Sequence, residues 1–248
     1  AEFANQIFNN SADMNGSTLV LGAIFFTFQI YGDFSGYSDI AIGTSRLFGF
    51  DLKQNFATPY FSRNILEFWK RWHISLTSWL TDYVFTPLAI EYRNFGNRGI
   101  ILSIFITFFV SGLWHGANWT FIVWGLIHGL YYLLTILLIG HKVPKQIVAE
   151  NRIIPTMGEL ISMLLTFSLV SFSYIFFRAE NLSHAFQYIE GIFSFSIFIT
   201  PQCPTSCIAG KISCIVFRYS IIAIRFFSFF SRKRIFVPLT NFVLLVSH

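Results

Sequence analysis

Residues 100–140 read IILSIFITFFVSGLWHGANWTFIVWGLIHGLYYLLTILLIG. Two apolar arms, 100–116 and 119–140, flank a turn at Gly116–Asn118. Each arm approaches the thickness of a bilayer when it is helical, so the stretch predicts a transmembrane helical hairpin. Both flanking loops are basic, with Arg93, Arg98, Lys142, Lys145 and Arg152. The positive-inside rule therefore predicts that both ends of the hairpin are cytoplasmic.

His115 stands at the tip of this hairpin. The first arm has 17 residues, about 25 Å as a helix against a hydrocarbon core of about 30 Å, so we expect His115 to lie within the membrane profile. An ionisable side chain at that depth is costly and marks a functional site. Ser103, Thr107 and Ser111 precede it at intervals of four. This polar stripe lines a channel or, as is commoner, its hydroxyls bond back to their own helix.

The motif Gly112-Leu-Trp-His-Gly116 is echoed by Gly125-Leu-Ile-His-Gly129. Both are GxxxG pairs, which predicts close approach of the two helix backbones. For His128 we expect an interhelical hydrogen bond, with a secondary role at the functional site as the alternative.

The composition is that of a membrane protein. Of 248 residues, 54% are hydrophobic and 12% are charged, whereas soluble domains carry about 25% charged residues. The net charge of +5 fits basic cytoplasmic loops, and we expect no nucleic-acid partner. Cys203, Cys207 and Cys214 match no zinc or redox spacing, so we expect no metal site.

The rest of the chain supplies more helices, and the predicted fold class is all-α. We expect spans at 17–38 and 160–177, a surface segment at 1–16, an interfacial connector at 44–61 and a short amphipathic helix at 183–193. Asp33 and Asp39 would lie near the far end of the first span or in a break within the protein. Gly32 and Gly36 would permit close helix contact. A capped helix end or a structural hydrogen-bond network is the preferred interpretation of both aspartates.

Residues 62–83 show helical spacing of apolar side chains, with Glu67 and Arg71 on the opposite, polar face. Such a helix lies in the membrane interface or forms a re-entrant wall of a cavity. His73 falls on the boundary between the two faces, where an imidazole can be held by packing and still reach a polar cavity. A surface histidine remains the alternative.

Four blocks in this order resemble the membrane-bound O-acyltransferase family. They are Phe28–Gly43 (FQIYGDFSGYSDIAIG), Glu67–Leu76 (EFWKRWHISL), Gly112–Gly116 (GLWHG) and Phe176–Ala179 (FFRA). They look most like the bacterial branch that contains the alginate O-acetyltransferase membrane subunit, with peptidoglycan and cellulose acetylases and the teichoic-acid D-alanyl transferase as relatives. The resemblance covers about residues 17–195.

The resemblance implies a bundle of transmembrane and re-entrant helices around a tunnel, in the bacterial inner membrane. It implies transfer of an acyl group, in the first place acetyl, from a thioester donor such as acetyl-CoA to an extracytoplasmic polysaccharide. Periplasmic accessory proteins are the implied partners, besides the bilayer. His115 matches the family's active-site histidine and His73 a second, upstream histidine. Further candidates for positioning substrate are Trp114, Asn118, Trp72, Arg71, Asp33, Asp39 and His128.

A neutral imidazole suits the chemistry, since acyl transfer to an alcohol needs a base for the hydroxyl proton. We expect His115 to be that base and His73 to orient or polarise the thioester carbonyl or the acceptor. No serine or cysteine has a nucleophile-elbow context, which favours direct transfer. Two other functions are compatible with these residues. Intramembrane Asp and His side chains can form a proton or ion relay in a transporter, and a truncated chain can retain the motifs without activity.

Two features predict that the chain is a fragment. It begins at Ala1 rather than Met, and the family's N-terminal half is absent. We also expect two regions, a partial membrane domain at 1–195 and a hydrophobic, basic tail at 196–248 that does not align with the family. A frameshift is the hypothesis for that tail.

Overall fold

The computed structural model describes residues 2–140, 148 and 155–201. Within these residues the regular structure is helical throughout, which confirms the all-α prediction. The helices are α1 Glu2–Asn9, α2 Gly16–Leu47, α3 Ile65–Arg71, α4 Ile74–Leu80, α5 Thr86–Glu91, α6 Asn97–His115, α7 Trp119–Ile139, α8 Met157–Arg178 and α9 Leu182–Ile192. Helices α2, α6, α7 and α8 are long and apolar enough to cross a membrane. The protein is thus a multi-pass membrane protein, as predicted.

The α6–α7 hairpin forms as expected, with its turn at residues 116–118. Glycines let the two helices touch. A Cβ on Gly112 would lie 2.5 Å from the carbonyl oxygen of Phe121, and one on Gly125 would overlap the carbonyl oxygen of Phe108. The predicted close approach at this repeated motif is confirmed. The other small-residue pair behaves differently, since a Cβ on Gly32 or Gly36 would meet no described atom within 4 Å.

Helix α2 is longer than the predicted span and contains no break. It runs for 32 residues from Gly16 to Leu47, about 48 Å, and its first turn is capped by Asn15, whose side chain accepts a hydrogen bond from Thr18 N. Helix α2 therefore includes residues 44–47, which were predicted to belong to the connector at 44–61. The helix is continuous across Asp33 and Asp39, so the alternative that placed them in a break is wrong. Both lie at exposed positions of this helix.

The predicted helix over residues 62–83 is interrupted. Helix α3 ends at Arg71 and α4 begins at Ile74, because His73 adopts the left-handed conformation with φ 43°. Glu67 does not face solvent as predicted, since only 1% of it is exposed. The prediction of a single amphipathic helix over 62–83 is therefore wrong, and the segment consists of separate helices with a break at Trp72–His73.

The core lies between α2, α3, α7 and α8. Thr27 of α2 donates to Ser171 of α8 over 3.0 Å, and the ring of Trp72 packs on Tyr174 of α8. The N-terminal segment, expected at the membrane surface, forms α1 and buries Ile7 and Phe8 in this core. The tail beyond residue 201, with the three cysteines, lies outside the described residues. The predicted division at residue 195 therefore stays a prediction.

Candidate active site

His115 is the last residue of α6 and is surrounded by aromatic rings. Its ring centroid lies 5.0 Å from that of Trp124 in α7 and 4.9 Å from that of Phe177 in α8. The neighbouring Trp114 is also at 5.0 Å. Neither imidazole nitrogen makes a hydrogen bond to another described residue, and the side chain is half-buried. Packing rather than hydrogen bonding thus orients His115 and leaves both nitrogens available for chemistry.

His73 enters the same region from the break between α3 and α4. Its ring lies 4.6 Å from Phe34 of α2 and 5.9 Å from Trp114. Its Nδ1 is buried without a hydrogen-bond partner in the described part of the chain. Burial lowers the pKa of His73 to about 4. His73 is therefore neutral near pH 7.

Trp114 brings the two histidines together. One indole contacts both imidazoles, although they are 42 residues apart in the sequence. Trp114 remains 57% exposed, so the cluster opens to the surface of the described part. Each of the four sequence blocks contributes a ring to it, namely Phe34, His73, Trp114 with His115, and Phe177.

Three other candidates have structural partners. Trp72 is 5% exposed and stacks on Phe68. Arg71 donates to Glu67 Oε1 over 2.6 Å. Asn118 accepts from Thr120 N at the start of α7, and its Nδ2 donates to the carbonyl oxygen of Glu180 over 3.0 Å. The structure places Trp72 and Arg71 in the core around His73 and Asn118 at the hairpin tip beside His115.

His128 makes the expected interhelical hydrogen bond. Its Nε2 lies 2.8 Å from Ser173 Oγ on α8. That hydroxyl donates to the carbonyl oxygen of Val170, so the imidazole is the donor to Ser173. His128 is fully buried and touches Trp124, the same indole that packs on His115. The preferred interpretation of Asp33 and Asp39, a capped helix end or a structural hydrogen-bond network, is wrong. Neither caps α2, which runs from Gly16 to Leu47, and neither makes a hydrogen bond or ion pair with a described residue.

The polar stripe toward His115 is mostly satisfied within its own helix. Ser103 Oγ donates to the carbonyl oxygen of Gly99 over 2.8 Å, and Thr107 Oγ1 donates to that of Ser103 over 2.7 Å. This is the commoner of the two predicted outcomes. Of the three hydroxyls in this stripe, that of Ser111, nearest to His115 in the sequence, is buried without a partner among the described residues.

The sequence interpretation missed a buried ion network beside the site. Glu67 accepts from Arg63 Nε over 3.1 Å and from Arg71 Nη2 over 2.6 Å. Arg63 also reaches Glu159 at the start of α8, over 3.3 Å. The signal was the spacing of four between Arg63, Glu67 and Arg71, which places them on one side of a helix.

Comparison with known proteins identifies the family of this chain. Residues 13–179 match the family model described as MBOAT, membrane-bound O-acyltransferase family. The chain belongs to the membrane-bound O-acyltransferase family. The matched range includes both histidines and all four sequence blocks.

Three relatives align with between 64% and 82% of this chain. The probable alginate O-acetylase AlgI of Pseudomonas aeruginosa is 38% identical over 82% of the chain and 37% of its own length. The peptidoglycan O-acetyltransferase of Helicobacter pylori is 36% identical over 77% of the chain and 34% of its own length. The teichoic acid D-alanyltransferase of Bacillus subtilis is 32% identical over 64% of the chain and 40% of its own length. The chain thus spans less than half the length of these relatives.

Proposed function

We propose that this chain carries the acyl-transfer site of a membrane O-acyltransferase. The substrates are an acyl thioester, acetyl-CoA in the first place, and a hydroxyl of a cell-envelope polysaccharide. The observation that carries the proposal is the contact of His73 and His115 with the same indole, Trp114. The names of the relatives support the class of reaction, since all three transfer an acyl group to an envelope polymer.

His115 acts as the general base. Its imidazole takes the proton of the acceptor hydroxyl as the oxygen attacks the thioester carbonyl, and the new C–O bond forms while the C–S bond breaks. The proton then passes to the departing thiolate, so charge and atoms balance. Neutral His73 donates a hydrogen bond to the carbonyl oxygen, where negative charge develops in the transition state. The aromatic rings around His115 exclude water and limit hydrolysis of the donor.

The charges of the loops indicate on which side of the membrane the site lies. The basic loops on either side of the hairpin predict that its tip, with His115, faces away from the cytoplasm. We propose the bacterial inner membrane as the location, an extracytoplasmic glycan as the acceptor, and periplasmic proteins as partners that present the polymer.

The direct test is His115→Ala in the full-length product of the gene, reconstituted in liposomes. Labelled acetyl-CoA is the donor, with alginate and peptidoglycan fragments offered in parallel as acceptors. Loss of a general base lowers the transfer rate by about 10²–10⁴-fold. His184→Ala is the matched control, because the His184 imidazole bonds Ser11 and is not one of the rings that surround His115, so the rate should be unchanged.

Retention of the wild-type rate by His115→Ala would refute the assignment. A wild-type protein without transfer but with ion flux in the same liposomes would favour the relay. No hydrogen bond or ion pair in the described part links either aspartate to a histidine, so no observation favours that function now. Absence of both activities in the wild-type protein would contradict the proposed function.

A further inference from the structure

Two residues other than glycine adopt positive φ in the described part of the chain, and both lie beside the site. They are Thr58, with φ 49°, and His73, with φ 43°. This region is unfavourable for residues with a Cβ and persists only where the surroundings impose it. The contacts that impose it on His73 therefore bear on the geometry of the site.

The segment around Thr58 is paired with the break that contains His73. Ala57 N donates to the carbonyl oxygen of Arg71, and Ile74 N donates to that of Asn55, each over 3.0 Å. These two bonds bracket Trp72 and His73 on both sides. The turn between α3 and α4 is thus held by a segment without regular secondary structure, which the sequence interpretation treated as part of an interfacial connector.

Asn55 supplies more than a backbone oxygen. Its Oδ1 accepts from Ser75 N over 3.1 Å and from Ser75 Oγ over 2.6 Å. Ile74 N and Ser75 N are the first two amides of α4, which have no partner inside their own helix. An N-cap residue ordinarily provides the acceptor and has extended backbone angles. His73 occupies that position here, with a left-handed backbone and no capping bond from its side chain.

We propose that Asn55 is a positioning residue that caps α4 in place of His73. Because the cap comes from a distant segment, the imidazole is not drawn back onto its own helix and is held against Phe34 and Trp114. Its Nδ1 is buried and has no hydrogen-bond partner within the described residues, so no side-chain hydrogen bond at that atom competes with this packing. The role of Asn55 in catalysis rests on the proposed function of His73, whereas its effect on the His73 ring does not.

The test compares three variants in the full-length product of the gene. Asn55→Leu removes the side-chain acceptor at similar volume, and Asn55→Asp restores an acceptor oxygen. Asn94→Leu is the matched control, since Asn94 is exposed and its side chain makes no hydrogen bond in the described part. The readouts are the His73 ring resonances in a histidine-labelled sample, assigned with His73→Gln, and the kcat and KM of acetyl transfer from acetyl-CoA.

We expect Asn55→Leu to shift the His73 resonances and to lower kcat by about 10²-fold, as for a misplaced catalytic group, with a smaller change in KM. Asn55→Asp should recover both values, and Asn94→Leu should change neither. Ser75→Ala, which removes only the hydroxyl contact, should shift the His73 resonances in the same direction by less. This milder variant decides the question if Asn55→Leu does not fold.

Unchanged His73 resonances in Asn55→Leu, or in Ser75→Ala when the first variant fails to fold, would overturn the inference. Failure of Asn55→Asp to recover them would also overturn it. A shifted resonance with wild-type kcat would support the cap and contradict the proposed role of His73 in transfer. The two failures are therefore distinguishable.

Discussion

The two histidines of the site are held in different ways. His115 ends a hairpin whose helices pack directly on each other, with Gly112 and Gly125 at their contact. His73 sits in a break whose left-handed backbone is imposed by a distant segment and lies next to a buried ion network. The first arrangement is stable through close packing, and the second is strained and depends on polar partners. The proposed site therefore combines one histidine on a closely packed support with a second whose backbone is held by residues outside its own helices.

Breaking the ion network beside His73 should lower the free energy of unfolding more than disturbing the hairpin that supports His115. Glu67→Gln removes a buried carboxylate and leaves Arg63 and Arg71 without its charge, which costs about 3–5 kcal/mol when a buried pair is broken. The free energy of unfolding in mixed detergent micelles measures it. Glu91→Gln, at an exposed position, is the matched control. An equal, small effect of both substitutions would show that the network does not support the break.

The hairpin contact should respond to a single methyl group. Gly125→Ala places a Cβ on the carbonyl oxygen of Phe108, and such overpacking destabilises a core by about 1–3 kcal/mol. Gly36→Ala adds the same methyl group to another GxxxG glycine, in α2, where no described atom lies within 4 Å. It should be neutral or slightly stabilising. Unfolding midpoints in detergent compare the two, and equal midpoints would contradict close packing as the support of His115.

The free energy of unfolding should also depend on pH through His73. Burial lowers the pKa of His73 from 6.5 to about 4, so the unfolded chain binds the proton first as the pH falls. The stability contributed by the neutral ring is full above pH 6.5 and is lost as the pH approaches 4. The slope from this group stays below about 1.4 kcal/mol per pH unit, because the ring is partly exposed. Unfolding of wild type and His73→Gln across this range measures it, and parallel curves would contradict the lowered pKa.

Much of the hairpin was predictable because its signals are local. The apolar arms, the turn and the repeated glycines all lie within one stretch of sequence, and helical spacing sets which side chains meet. The break at His73 was not predictable in this way. Residues 62–83 keep helical periodicity through Trp72, and nothing within them shows that Asn55 and Ala57 supply the amide and carbonyl partners of a turn. The error at Glu67 has a related cause, since a charged side chain is placed toward solvent unless its buried partners are known.

The sequence by itself determined the membrane class, the helical hairpin and the presence of His115 and His73 in ordered blocks, because these depend on composition and short-range spacing. Only the tertiary structure decided that Trp114 contacts both histidines, that Asp33 and Asp39 make no hydrogen bond or ion pair with them, and that Asn55 caps the helix that follows His73. These contacts join residues far apart in the chain. Their formation depends on how α2, α3 and the hairpin pack, and the strain at His73 exists only once that packing is complete.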